Sequence, residues 1–281
     1  MLLDDILTFC GYFITFLILV GEGKIIFGLF NRKININSEL VDKDNTAFII
    51  SYAGYFAGLV ITIAGVFMGP SAGFYEDIID IVIYGNLGIV LLFLASVVND
   101  KIILRKFSIY KEIIEDKSPA TGVVLAASYI SSGIVLMGAI SGEGGNFLTA
   151  IIYWIVGQIA LIIFTLIYEK LAGFDVHKEI ERDNTAAGVA FAGILVAVSL
   201  LVNEALMGDF QSWIVTAEKI GTDLALGAVF LPLTRFALEK ILLRKRTFAQ
   251  EISQQTIPNI GLGILEAVSY ILCAAIVISS I

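Results

Sequence analysis

Apolar residues run through this chain in blocks of membrane-spanning length, and polar positions fall almost entirely between the blocks. Residues 46–68, 81–99, 119–140, 147–168 and 185–203 contain no Asp, Glu, Lys or Arg. Each block is about 19–23 residues long, which at 1.5 Å per helical residue crosses a hydrocarbon layer of roughly 30 Å. Three further blocks are interrupted by charge. The first, from about Ile6 to Phe30, holds Glu22 and Lys24. The seventh, from about Ser212 to Leu238, holds Glu218, Lys219, Asp223 and Arg235, and the eighth, from Ile257 onward, holds Glu266. The pattern predicts an all-α, polytopic membrane protein with eight transmembrane helices and no separate soluble domain. Asp4 and Asp5 precede the first block in place of a basic leader, so that block reads as a span and not as a signal peptide.

Composition agrees with the pattern. Of 281 residues, 58% are hydrophobic and 16% charged, against about 45–50% and about 25% in soluble domains. Such a chain lacks the polar residues to cover a soluble surface, so its first partner is the lipid bilayer. The net charge of −8 argues against nucleic acid as a partner.

Basic residues give the expected orientation. Segments 31–45, 101–118, 170–183 and 239–256 hold 15 of the 18 Lys and Arg, whereas 69–80, 141–146 and 204–211 hold none. The second set carries Glu76, Asp77, Asp80, Glu143, Glu204 and Asp209. The positive-inside bias places the four basic segments in the cytoplasm and both termini outside. Segments 101–118 and 239–256 are expected to continue as short amphipathic helices.

The chain also repeats itself at an offset of 139 residues. Asp44-Asn45-Thr46-Ala47 falls on Asp183-Asn184-Thr185-Ala186, Ala53-Gly54 on Ala192-Gly193, and Met68-Gly69 on Met207-Gly208. Further on, Arg105-Lys106 falls on Arg244-Lys245, Glu112-Ile113 on Glu251-Ile252, Pro119 on Pro258 and Gly122 on Gly261, all without a gap. Apolar composition does not by itself align Asn, Pro and paired basic residues, so a duplication is expected, with repeats 1–140 and 141–281. Within each half a weaker repeat pairs the helices into two hairpins, with helix starts near Asn45, Ser118, Asn184 and Thr256. An even number of spans per unit makes the two copies parallel. Asp44 or Asn45, and Asp183 or Asn184, suit the free N–H groups at a helix start. Pro119 and Pro258 suit first-turn positions.

The repeated unit, an acidic residue followed by Asn-x-Ala at the start of an Ala/Gly-rich helix, spans Glu39 to Ala47 and Glu179 to Ala186. It resembles the YjfL-like bacterial membrane-protein family, whose repeat is known as domain of unknown function 350. Two tandem copies would cover nearly the whole chain. The resemblance implies a multi-pass protein of a bacterial or archaeal cytoplasmic (inner) membrane, without an assigned activity or catalytic residues. The other two repeats depart from Asn-x-Ala, with Ser118-Pro119-Ala120 and Thr256-Ile257-Pro258.

Recognisable chemistry is sparse. Gly142, Gly144 and Gly145 lack the Lys-Ser/Thr of a phosphate-binding loop and read as a short outer turn. One histidine and two unpaired cysteines make no familiar metal site. His177, among Asp175, Lys178 and Glu179, reads as a solvated residue, and Cys10 and Cys273 read as small buried packing residues. No catalytic residue, metal or cofactor is expected, and the chain is not read as an enzyme.

Charges at membrane depth are the candidate site. Glu266 lies nine residues into the eighth block, about 13 Å deep, and Arg235 about 7–8 Å from the cytoplasmic end of the seventh. Leaving either ion in lipid is costly, so the two are expected to pair as a structural contact or a solute pathway. Their partners at the repeat offset, Ala127 and Ser96, are uncharged. Asp100, Glu169 and Glu239 recur beside a lysine at the cytoplasmic helix ends, as membrane-boundary anchors or a ring of carboxylates. Gly54, Gly58, Gly188 and Gly193 lie on faces that allow close helix packing. On that reading the even-numbered helices form the centre and the Leu/Phe-rich odd ones meet lipid, or the small faces serve a second copy or another membrane protein. Two functions remain open at this point: permeation of a small ion or solute, and a non-catalytic scaffold acting through the charged segments.

Overall fold

The structure, a computed structural model, describes residues 2–69, 71, 73–141, 146–207, 210–243 and 245–280. Gly142 to Gly145, Gly208, Asp209 and Arg244, and with them the expected outer glycine turn, lie outside the described residues. The chain is all-α. Its helices are α1 (Leu2–Phe30), α2 (Thr46–Met68), α3 (Phe74–Val98), α4 (Pro119–Ile140), α5 (Phe147–Leu171), α6 (Val176–Glu181), α7 (Thr185–Leu206), α8 (Trp213–Leu238), α9 (Phe248–Ser253) and α10 (Ile260–Ser280). The charged connectors at one end of the bundle contain π-helical turns at Ser38–Asp42, Asn99–Ile103, Lys111–Glu115 and Glu239–Leu243. Segments 101–118 and 239–256, expected to continue as short amphipathic helices, hold short helical pieces: the π-helical turns that extend α3 and α8, the turn at Lys111–Glu115, and α9, which buries Phe248 and Ile252.

Among the described residues seven helices are long and apolar enough to cross a membrane: α1, α2, α3, α4, α5, α7 and α10. The seventh expected span is a helix of 26 residues, α8. It carries four charged residues and is not in that set.

Four helices, α2, α4, α7 and α10, stand side by side in one row. Small residues set their spacing. A Cβ on Gly54 would strike Ala126, one on Gly122 the Ala47 backbone, and one on Gly133 the Gly58 backbone, so α2 and α4 touch main chain to main chain. Gly188 meets Ala120 and Gly138 meets Asn203 between α4 and α7. Gly193 meets Ala267, and Gly263 meets Ala186, between α7 and α10. In each pair residue numbers rise together, so all four helices point the same way. Lipid tails are as apolar as leucine, so van der Waals contact and not apolar transfer holds such helices together. Glycine and alanine maximise it.

The other long helices flank this row and run opposite to it. Burial follows that placement: the apolar windows of α7 and α4 are 78% and 72% buried, that of α1 only 22%. Exposed Phe9, Phe13, Ile14, Leu17 and Ile18 make the outer face of α1 a lipid-facing one. α1 packs on α3 throughout its length. Tyr12 donates to Asp77 at 2.7 Å, Asn86 donates to half-buried Glu22 at 3.3 Å, and Phe30 stacks on Phe93 at 3.7 Å. Lys24 is exposed.

The glycine contacts generate a test. Gly193→Ala places a methyl in the Ala267 backbone, whereas Gly221 has nothing within 4 Å of an added Cβ. Thermal unfolding in detergent should show Gly193→Ala losing about 1–3 kcal/mol from overpacking and Gly221→Ala losing nothing. Equal responses would remove main-chain contact as the source of row stability.

Candidate functional site

The Asn-x-Ala motif is a fastener at the helix starts. Asn45 caps α2, its Oδ1 accepting from the Phe48 N–H at 3.1 Å, and Asn184 caps α7 by accepting from Ala187 N–H at 3.1 Å. The amide nitrogen of each reaches two more groups. Asn45 Nδ2 donates to Glu39 Oε2 at 2.8 Å and to the Ile113 carbonyl at 2.8 Å. Asn184 Nδ2 donates to Glu179 Oε2 at 2.9 Å and to the Ile252 carbonyl at 2.7 Å. One side chain therefore satisfies its own helix, its own connector and the next connector. Aspartate would cap equally well, but only an amide also donates.

The neighbours complete the motif. Asp44, Lys117 and Asp183 precede their caps with φ of 46°, 53° and 59°, a left-handed turn that Asp tolerates better than most residues. Asp183 Oδ1 also accepts from Ser118 Oγ at 2.9 Å and from Ala120 N–H at 3.1 Å, tying the start of α7 to that of α4. Ala47 and Ala186 are fully buried, and the backbones of Gly122 and Gly263 lie on them. Small residues are needed there for that reason.

The fourth start corrects the sequence reading. It lies at Asn259, not Thr256: Asn259 Oδ1 accepts from Leu262 N–H at 3.3 Å, and its N–H donates to the Glu251 carbonyl at 3.1 Å. The matching bond in the first half runs from Ser118 to the Glu112 carbonyl, six residues back and not eight. The 139-residue offset thus holds to Ile252 and becomes 141 in α10, where Gly263 and Ala267 play the parts of Gly122 and Ala126. Proline explains the change. Pro258 precedes the cap, and its ring locks φ near −65°, barring the left-handed turn used at the other three starts. In the corrected register Glu266 matches Leu125, not Ala127.

The connector glutamates are shifted in opposite directions. Burial pushes the Glu39 carboxyl up, but hydrogen bonds from Lys43 and Asn45 outweigh it and hold Glu39 below its usual range. Burial and the nearby Asp116 carboxylate raise Glu112 against the pull of the Lys111 ammonium, and Ser118 stands where the other starts carry an amide. Backbone N–H donation from Lys178 lowers Asp175, and the Arg246 guanidinium lowers Glu251.

Arg235 and Glu266 meet directly. Arg235 Nε donates to Glu266 Oε1 at 2.6 Å, and Tyr270 Oη donates to the same oxygen at 2.9 Å. Glu266 is 0% exposed and Arg235 14%. The guanidinium also reaches the Leu171 and Ala172 carbonyls at 3.4 and 3.2 Å and lies over the Phe248 ring. Because α10 starts at Ile260, Glu266 lies six residues in, about 9 Å deep, which brings its depth closer to that of Arg235. Glu266 Oε2 and Tyr168 Oη are both buried, and the Tyr168 hydroxyl interacts with the Glu266 carboxylate.

The three junction carboxylates go separate ways. Asp100 pairs with Lys101 at 2.8 Å, Glu169 Oε1 lies 3.5 Å from His177 Nδ1, and Glu239 Oε2 accepts from Phe248 N–H at 2.9 Å, capping α9. No described contact joins them. His177 corrects its solvated reading: it is 1% exposed, and its Nε2–H donates to the Ile103 carbonyl at 2.7 Å, joining α6 to the connector after α3. A lone histidine in a charged segment gave no sign of that tertiary partner. Cys273 is buried as expected, but Cys10 is exposed on α1. Among the described residues no group of three or more His, Cys, Asp or Glu could hold a metal ion.

Removing one member of the Arg235–Glu266 pair leaves a buried unpaired charge, typically worth about 3–5 kcal/mol, whereas removing both costs less. Folded yield and melting temperature of Arg235→Met, Glu266→Gln and the double variant should show the double recovering. Purely additive losses would remove the pairing.

Glu39 and Glu112 should respond to acid with opposite sign. A depressed folded pKa gives Glu39 a stabilisation that is present at neutral pH and lost as pH falls through that folded value. Glu112, raised by burial, favours the fold fully only below its unfolded value of about 4.3 and loses that support as pH rises through its folded value. Melting temperature at neutral pH should therefore fall for Glu39→Gln and rise for Glu112→Gln, both differences shrinking in acid. The same sign for both would end the assignment.

The comparisons with known proteins bear on the whole chain. A UPF0719 transmembrane protein of Aquifex aeolicus (strain VF5) is 26% identical over 257 residues, covering 89% of this chain and 91% of the relative. No solved structure matches the chain. The profile of the Domain of Unknown Function DUF350 matches residues 1–140 and again 144–281, the two stretches whose helix starts carry the same Asn-centred fastener. This chain, a multi-pass membrane protein with two tandem copies of that domain, belongs to the DUF350 family.

Proposed function

We propose that this protein conducts a small cation through its second repeat, along the seam between α5 and α8. The observation that carries this reading is a contrast between the halves. In the first, α1 and α3 pack closely; in the second, α5 and α8 approach each other far less. Tyr153 Oη bonds Thr216 Oγ1 at 3.0 Å at one end, and Arg235 meets the α5 terminus at the other. A cavity of about 280 Å³, lined by Tyr153, Trp213, Thr216 and Gly221, adjoins the first contact. One of about 300 Å³, lined by Tyr168, Ala228, Arg235 and Tyr270, adjoins the second. Between them on α8 sits Asp223, 5% exposed, and Glu266 stands beside the far cavity. Carboxylates at such depth suit a cation path.

The reading includes α8 as an eighth span, in two parallel four-helix units at 1–140 and 141–281, each of two hairpins. At 26 residues α8 is about 39 Å long. Its charges are accommodated: Asp223 is buried, Arg235 is paired, and exposed Glu218 and Lys219 lie within about two turns of its start, where side chains reach water. The basic connectors then face the cytoplasm and both chain ends the outside. The alternative, a non-catalytic scaffold, draws on the close-packed row and on exposed Lys106, Lys111 and Arg182 at the connector end.

Proteoliposomes of purified protein should pass K⁺, Na⁺ or H⁺ above protein-free vesicles, and Asp223→Asn should lower the flux about tenfold at unchanged folded yield, as expected if one polar contact of about 1.4 kcal/mol is lost. Flux equal to that of empty vesicles, or unaffected by Asp223→Asn, would leave the scaffold reading. For topology, single cysteines replacing Asp77 and Lys106 in a background lacking Cys10 and Cys273 should react from outside at position 77 alone. The reverse pattern would invert the orientation.

A further inference from the structure

We infer that the inner row continues from copy to copy: the free face of α10 docks on the free face of α2 in a second copy of this chain, head to tail. The contact lies away from the seam between α5 and α8 and is independent of the cation path.

The three seams of the row share one register, counted from the caps Asn45, Ser118, Asn184 and Asn259. The residue two after a cap meets the residue four after the next cap, as Ala47 meets Gly122, Ala120 meets Gly188 and Ala186 meets Gly263. Position nine meets position eight, as Gly54 meets Ala126 and Gly193 meets Ala267. Position twenty meets position nineteen, as Gly65 meets Met137 and Gly138 meets Asn203. Each helix therefore has one face for the helix before it and a different face for the helix after it. A row joined through unlike faces leaves one of each kind over at its ends, and these two are complementary.

Both leftover faces are open. At positions two, nine and twenty α10 presents Gly261, Val268 and Ser279, all exposed. A Cβ on Gly261 would meet only the Asn259 side chain, whereas its counterparts Ala47, Ala120 and Ala186 are fully buried. At positions four, eight and nineteen α2 presents Ile49, Ala53 and Ala64, exposed or half-buried. The preceding helix α1 reaches α2 elsewhere, at Phe48, Tyr55 and Leu59. One further step of the register sets Gly261 against Ile49, Val268 against Ala53 and Ser279 against Ala64. Every pairing includes a small residue, which is what close helix approach in lipid requires. The two helices point the same way when both copies share one membrane orientation, as copies of one chain do.

The helix starts supply an independent observation. Asn45 and Asn184 each divide their amide between their own connector glutamate and the carbonyl that follows the next connector's glutamate, Ile113 or Ile252. Asn259 keeps the first bond, to Glu251, and has no next connector among the described residues. In a second copy the residue that follows the connector glutamate is Leu40, after Glu39. Its neighbour Val41 is 78% exposed, whereas the counterpart Ile114 packs against the core. A docked copy offers the Leu40 carbonyl to the Asn259 amide and covers Val41.

The test uses full-length chains lacking Cys10 and Cys273, each with one new cysteine and its own tag, co-expressed and oxidised in native membranes. Val268→Cys with Ala53→Cys should give a mixed disulfide dimer, and neither chain alone should crosslink. Ile276→Cys with Ala53→Cys, equally exposed but about two turns out of register, should give less than about a tenth as much. Asn259→Ser keeps a side chain that caps α4 at Ser118 but removes the amide. It should weaken association about tenfold, read by subunit energy transfer on lipid dilution, as expected for one lost hydrogen bond. Like-with-like crosslinks, equal crosslinking at position 276, or a chain that stays monomeric in lipid would each overturn the proposal. Association of Asn259→Ser like wild type would overturn the amide contact. If that variant does not fold, the crosslinking pattern decides. Specific crosslinking without ion flux would remove the cation path alone, and flux from chains that do not crosslink would remove this contact alone.

Discussion

Main-chain contact between parallel helices is the constraint from which the rest of this structure follows. Inside a bilayer apolar side chains gain little by leaving lipid, so helix association rests on packing and on the few hydrogen bonds that bridge helices. In the α2–α4–α7–α10 row, glycines bring backbones within van der Waals reach at Gly54, Gly122, Gly188, Gly193 and Gly263. Such contact tolerates no sliding, because a shift of one residue puts a side chain where a glycine hydrogen was. The Asn45 and Asn184 amides fix that register at the helix starts, each bonding the following connector. Packing and capping are thus two parts of one device.

A row built this way is stiff, and function is more readily placed where its symmetry is broken. The breaks cluster in the second half. Glu266 stands for Leu125, Arg235 for Ser96 and Pro232 for Phe93; Arg235 and Pro232 line one cavity between α5, α8 and α10, and Glu266 is paired with Arg235. Phe93 stacks on Phe30 in the first half, whereas Pro232 lines the second-half cavity. The pair Arg235–Glu266 keeps that cavity neutral. Stability and specialisation are divided between the inner row and its flank.

Much of this was legible in the residues. Uncharged blocks gave the helices, the Asp-Asn-Thr-Ala repeat gave the duplication, and small residues marked the inner row, since each signal is local or periodic. Arg235 and Glu266 were legible as a pair because lipid leaves a buried ion few alternatives. The fourth helix start was not, because Pro258 invites alignment with Pro119 while its locked φ moves the cap to Asn259. His177 was misread for a related reason. Its charged neighbours suggested water, and only the fold brings the Ile103 carbonyl to its ring.

Sequence by itself determined the class of solvent, the helices and the repeat, because hydrophobic length and periodic small residues act through each segment's own contact with lipid or a neighbour. Tertiary structure decided which oxygen each amide meets, that Asp100, Glu169 and Glu239 serve three separate local contacts, and that Pro232 and Tyr168 share a cavity with Arg235. Those outcomes depend on the rotation of helices far apart in the chain. That rotation is set by the summed packing of the whole row, and no single segment carries it.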